Sequence, residues 1–155
     1  MSTLRYFDEF EVGAVYRHRP GRTITESDHM FFCTLTMNHR TPMADKHCGE
    51  ALSARRRQVA GPLVFSAAVA LTAPEMNGKY MASLGYEEIR HVSPVFYGDT
   101  LSAETVILGT RESPSRPDAG IVRAETTVHN QRGEVVMVFR REMLVPKRRQ
   151  TPAAS

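Results

Sequence analysis

The chain has 155 residues, with 20 Lys and Arg against 17 Asp and Glu, a net charge of +3 and no Trp. This length favours one domain, and such a chain buries roughly 70% of its unfolded surface, so it needs no disulfide or metal staple. Hydrophobic residues make up 41% and charged residues 24%, the balance of a globular domain. No apolar run of about 18 residues is present to form a transmembrane helix.

The mixed, acidic stretch Met1 to Phe10 lacks the basic-then-apolar layout of a signal peptide. Cys33 and Cys48 stand in no metal or redox spacing, so no metal is expected and a reduced, cytoplasmic setting is the expectation. Much of the basic excess lies in Arg55-Arg56-Arg57 and Lys147-Arg148-Arg149. Without interleaved aromatics these do not point to nucleic acid, and a small molecule bearing phosphates suits them equally. One domain over residues 1–148 and a flexible tail over 149–155 are expected.

In chain order, Val15 to Ile24 reads as a strand. Thr25 then reads as a helix N-cap with Glu26 and Asp28 in the first turn, and Met30, Phe31, Leu35 and Met37 as the apolar side of a short helix ending near Asn38. Residues 39–58 carry His, acids and Arg with few large apolar groups, and read as an irregular excursion. Gly61 to Ala73 is the clearest helix. Pro62 suits its first turn, its sides are apolar nearly all round, which predicts burial all round, and Pro74 marks the expected end. Short strands follow at Tyr80–Leu84 and Glu88–Val92. Leu101 to Gly109 alternates, with Leu101, Ala103, Thr105 and Ile107 on one side. Ile121 to His129 sets Val122, Ala124, Thr126 and Val128 against polar neighbours. The turn residues Asn130 to Gly133 then lead into Val135 to Val145, with Met137, Phe139, Met143 and Val145 aligned. One apolar helix against a curled antiparallel sheet is an α+β architecture.

Several strings, in this order, resemble the hot-dog fold and its MaoC-like (R)-specific enoyl-CoA hydratase family. They are Phe10-Glu11-Val12-Gly13, the run Gly21 to Asp28, Thr34 to Asn38, Gly61-Pro62-Leu63-Val64-Phe65-Ser66, and Pro94 to Leu101. Arg111 to Pro117 is similar to a string of the branch acting on mesaconyl-CoA and related branched thioesters. The resemblance implies a hot-dog α+β domain and no cofactor beyond a coenzyme A thioester as substrate. It also implies a homodimer or higher homo-oligomer, because pairing two sheets removes an exposed edge. Neither nucleic acid nor membrane is implied.

The family's motif runs Gly-Asp-x-Asn-Pro-(Leu/Ile/Val)-His, with the Asp and the His carrying the proton chemistry. Laid on without gaps, it places Asn38 at the Asp position, Met43 at the His position and Asp45 at an acid two further on. Asn is familiar at the first position in the mesaconyl-type branch, where the His normally stays; a one-residue gap puts Ala44 there instead. Asn38 can position water or thioester but cannot act as a base; its bland alternative is a helix cap. Met43 would dry the pocket. His39, His47 and Asp45 are the candidate bases, each also readable as a solvated loop residue.

Hydration needs a base for water, a proton for the α-carbon and donors for the thioester oxygen. The head of the apolar helix, Gly61, Pro62 and Leu63, would border the substrate, with unpaired backbone N–H groups there as donors and Gly61 allowing close approach. By the resemblance Ser66 would orient the polar pair; otherwise it bonds back to a carbonyl one turn earlier. Arg55, with Arg56 and Arg57, could grip coenzyme A phosphates or form a solvated stretch. Arg116 could meet the coenzyme A end or a substrate carboxylate. His91 and His129, on strand patterns, read as surface or interface residues. The function expected is a hydratase or dehydratase acting at the C2–C3 bond of a short branched or dicarboxylic enoyl-CoA of mesaconyl-CoA or itaconyl-CoA type. The alternatives are a catalytically silent acyl-CoA-binding subunit paired with an active partner, and an acyl-CoA thioesterase.

Overall fold

The structure, a computed structural model, describes residues 5–38, 57–76 and 81–148. A 3-10 turn at Phe7–Glu9 precedes β1 (Val15–Thr23), α1 (Glu26–Thr36), α2 (Gly61–Met76), β2 (Ala82–His91), β3 (Thr100–Glu112), β4 (Ala119–His129) and β5 (Val135–Pro146). The strands form one five-stranded antiparallel sheet in the order β1-β3-β4-β5-β2. Its curled inner face packs on α2, the expected α+β arrangement. Among the described residues no helix is long and apolar enough to cross a membrane.

Alternation decides which face is inside. The aligned residues named above on β3, β4 and β5, from Leu101 to Val145, are each at most 5% exposed. Each large one contributes about 1.5–3 kcal/mol through burial. Two apolar clusters result. One surrounds the head of α2 with Ile24, Val64, Leu101 and Phe139, and the other surrounds its end with Phe10, Met76, Ile107 and Met143.

A polar layer lies between them. His18 Nδ1 is 2.5 Å from Glu75 Oε2, and its Nε2 is 2.8 Å from Thr105 Oγ1, which is 2.8 Å from Thr126 Oγ1. Arg141, on the inner face between Phe139 and Met143 and 2% exposed, donates to Thr72 Oγ1 at 2.8 Å. Burial lowers the His18 pKa, Arg141 lowers it further, and Glu75 opposes both.

Four expectations are corrected. First, α2 does not end at Pro74 but runs to Met76, because Met76 is buried and Glu75 is held by His18. Second, α2 is not buried all round: Pro62, Ser66, Ala70 and Pro74 form an exposed stripe at a spacing of one turn. Third, the two short strands are one strand, β2, whose register slips between Ser83 and Gly85 and again between Glu87 and Arg90. Fourth, α1 turns His29 and Cys33 inward, not its apolar side; Phe31, Leu35 and Met37 are 67%, 66% and 78% exposed. Its start is as expected. Thr25 accepts from the Asp28 N–H at 3.1 Å, and Asp28 Oδ2 accepts from the Thr25 N–H at 2.9 Å.

Candidate active site

The site is built around the head of α2. The segment 57–59 runs beside 95–97: Val59 N–H donates to the Val95 carbonyl at 2.8 Å and Tyr97 N–H to the Arg57 carbonyl at 3.2 Å. Buried Asp99 braces this strip. It accepts from Phe96 N–H at 2.9 Å and from Gln131 Nε2 at 2.9 Å, while Gly98, at φ +85°, turns the chain toward β3.

Below the strip lies a buried cluster. His29, fully buried, accepts the Ala60 N–H on Nε2 at 3.3 Å, and its Nδ1 is hydrogen-bonded to Tyr97 Oη. Arg57, 8% exposed, pairs with Glu26, and its guanidinium carbon sits 4.9 Å from the centre of the Tyr97 ring. Burial and then Arg57 push the His29 pKa down; burial pushes the Tyr97 and Cys33 pKa values up.

The first turn of α2 commits most of its amides. Leu63 and Val64 both donate to the Ala60 carbonyl, at 3.0 and 3.2 Å, and Pro62 has no N–H. Among the described residues the Gly61 N–H makes no hydrogen bond, so one donor rather than several is left. It stands at a cavity of about 540 Å3 lined by residues that include Gln58, Gly61, His91 and Ser93. The His91 ring lies against Gly61: a Cβ built there would fall 2.8 Å from Cε1 and 2.9 Å from Nε2. A second, apolar groove of about 560 Å3 runs along α1, lined by residues that include Arg22, Phe31, Leu35 and Leu63.

Gly61 is therefore where the sequence analysis puts it, and Leu63 borders the neighbouring groove. Pro62 is on the exposed stripe. Ser66 is exposed too, and among the described residues it makes neither the polar-pair bond nor the bond back to a carbonyl. Asn38 is half-buried and its N–H donates to the Cys33 carbonyl at 3.0 Å; the left-handed capping residue is Met37, at φ 51°, not Asn38. Arg116 does not reach the cavity but forms a two-bond pair with Asp118, 2.9 Å each, in the β3–β4 loop. Arg57 is neither a phosphate grip nor solvated, because Glu26 and Tyr97 enclose it. His39, Met43, Asp45, His47 and Arg55 lie outside the described residues. Among the described residues no three His, Cys, Asp or Glu gather as a metal site.

Sequence reasoning left His29 and Tyr97 without a role, read Arg57 as a phosphate grip or part of a solvated stretch, and put His91 at a surface or interface. His91 is exposed, yet it lines the cavity as well. The one signal for it was its place at the end of a strand leading into the Pro94 string.

A sequence model of the mesaconyl-CoA hydratase family matches residues 2–155. Mesaconyl-CoA hydratase of Cereibacter sphaeroides is 32% identical over 148 residues, 93% of this chain and 42% of that protein. A solved MaoC domain dehydratase of Chloroflexus aurantiacus superposes with a TM-score of 0.90 at 28% identity, over 99% of this chain and 44% of that one. A Mycobacterium tuberculosis protein with a double hot-dog fold matches with a TM-score of 0.86 at 21% identity, over 97% of this chain and 46% of that one, a likeness of fold. The chain thus spans less than half the length of these relatives. It has the hot-dog fold and belongs to the mesaconyl-CoA hydratase family of MaoC-like proteins.

Proposed function

We propose that this protein is a cytoplasmic acyl-CoA hydratase or dehydratase that adds or removes water at the C2–C3 bond of a short branched or dicarboxylic enoyl-CoA, of mesaconyl-CoA or itaconyl-CoA type. The observation that carries the reading is Gly61 at the head of α2, whose N–H makes no hydrogen bond among the described residues and which lines a cavity large enough for a short acyl group. As water adds to C3, negative charge collects on the thioester oxygen. A fixed amide aimed at that oxygen, helped by the positive end of the helix dipole, stabilises it by about 3 kcal/mol. Glycine at this position lets the carbonyl come close. The kinship with a mesaconyl-CoA hydratase supports the substrate class.

The test is a spectrophotometric assay with mesaconyl-CoA, itaconyl-CoA and crotonyl-CoA. Loss of enoyl absorbance with the branched substrates is expected; no loss with any of the three overturns the reading.

Asn38 favours a second reading. Its backbone closes α1 and its carboxamide cannot serve as a base, which suits a silent acyl-CoA-binding subunit working beside an active one. Calorimetric binding of butyryl-CoA with no turnover of any enoyl-CoA would select that reading.

We also take a second copy of the chain to be a partner. β2 is an edge strand along which Leu84, Tyr86 and Ile89 are 48%, 37% and 42% exposed. An open edge with apolar side chains is a surface that soluble proteins cover. A gel-filtration mass of at least two chains is expected, and a mass of one chain would remove this part.

A further inference from the structure

We propose that His91 is the acid–base residue of the site, taking a proton from the attacking water and returning it to the α-carbon. This rests on the hydratase reading above. The family's histidine position holds Met43, and the other candidate bases, His39, Asp45 and His47, lie outside the described residues.

Three observations single out His91. Its backbone is held in place: His91 pairs with Met137 across β2 and β5, and the next residue, Val92, donates its N–H to the Val136 carbonyl at 2.9 Å. Its imidazole touches the residue whose amide is free, as the contact with Gly61 shows. Neither ring nitrogen is hydrogen-bonded to any described residue, and the residue lines the cavity.

The other described histidine near the head of α2 does not qualify. His29 is fully buried and spends one nitrogen on the Ala60 N–H and the other on Tyr97. Gln58 and Ser93 line the cavity but do not exchange protons near neutrality. Imidazole can both accept and give a proton there.

The step balances within the site. As the water oxygen bonds to C3, one of its protons moves to the imidazole. The C2–C3 π pair shifts to C1–C2, and charge passes to the thioester oxygen facing Gly61. The imidazolium then protonates C2, the carbonyl re-forms, and the imidazole is neutral again. One water is consumed and nothing is oxidised. Because one ring carries both transfers, hydroxyl and hydrogen reach the same face of the substrate.

The experiment is His91→Gln in the full chain, with kcat and KM for mesaconyl-CoA followed across pH. Removing the proton carrier is expected to lower kcat by about 100-fold or more with KM held within about threefold. The shape of the wild-type pH profile should change with it. An unchanged profile and kcat in the variant, with wild type active, overturns the assignment and leaves the hydratase reading standing. Wild type inert toward every enoyl-CoA overturns both. Should the variant misfold, the wild-type His91 ring signal in NMR decides. Movement on saturation with unreactive butyryl-CoA supports the assignment, and no movement overturns it.

Discussion

His29 and Ala60 are joined by a hydrogen bond that ties α1 to the first amide before α2: Ala60 N–H donates to His29 Nε2 at 3.3 Å. An acceptor nitrogen carries no proton, so the ring is neutral and its hydrogen sits on Nδ1, donated to Tyr97 Oη. The Ala60 carbonyl is occupied as well, by the Leu63 and Val64 amides. Ala60 is thus fixed at its N–H by a buried side chain and at its carbonyl, which shares a peptide group with the Gly61 N–H, by the helix itself.

Removing that side chain should loosen the head of α2. His29→Leu leaves the Ala60 N–H buried without an acceptor, which costs about 1–3 kcal/mol. Tyr97→Phe leaves the buried His29 Nδ1–H without its acceptor and should likewise cost about 1–3 kcal/mol. Urea melts give these numbers. In the proposed hydratase both changes should also lower kcat, because the donor to the thioester loses its fixed direction. A His29→Leu protein as stable as wild type would contradict the account.

The same bond gives the fold a dependence on acid. His18 and His29 both have pKa values pushed below the ordinary 6.5, chiefly by burial. Arg141 adds to the effect at His18 and Arg57 at His29, while Glu75 and Glu26 oppose it. The unfolded chain therefore takes up protons as pH drops through about 6.5, and the folded chain does so only lower. Stability is full above that pH and falls below it, at up to about 1.4 kcal/mol per pH unit for each histidine. Urea midpoints at pH 7.5 and pH 5.5 check the sign, and His18→Gln should flatten part of the slope.

How much of this was legible in sequence depends on the range of each interaction. The inner faces of β3, β4 and β5 were readable because a strand buried on one side repeats every second residue, and the threonines at 105 and 126 keep that phase. Arg141 occupies an inner position yet reads as an interruption, since its partner Thr72 lies on a helix. In α1 the periodicity found an apolar side but could not say whether it met the core. His29 and Cys33, one turn apart, took the core instead, and Phe31 and Leu35 line an open groove. Gly61 was visible from the Gly-Pro start of an apolar helix. His91 was not: it meets Gly61 only because β2 folds back along β5, and no local pattern records that contact.

Arg141 sets a further test. Its guanidinium is buried among apolar neighbours, with Thr72 Oγ1 as one partner and the His18–Glu75 pair in the same layer. Arg141→Ala opens a cavity and removes the buried bonds, and should cost about 3–5 kcal/mol. Arg141→Met keeps most of the volume without a charge to desolvate, and should cost clearly less. Loss of the Arg141 charge should also let the His18 pKa rise, visible in its ring NMR titration. If alanine and methionine prove equally costly, packing does not separate the two changes and the polar bonds alone matter.

Gly61→Ala separates stability from activity. Alanine in a helix is favoured over glycine by about 0.5–1 kcal/mol. The added methyl would meet His91 Cε1 at 2.8 Å, but that ring is on an exposed strand end and can swing aside at little cost. The variant should therefore melt no lower than wild type. In the proposed hydratase, however, the methyl would stand between the Gly61 N–H and the thioester oxygen and push His91 away from it. Losing one such donor lowers kcat by about 100- to 1,000-fold. Thermal melts and mesaconyl-CoA kinetics on the same preparation decide the matter. A stable Gly61→Ala protein with wild-type kcat would mean that the thioester does not sit at the head of α2.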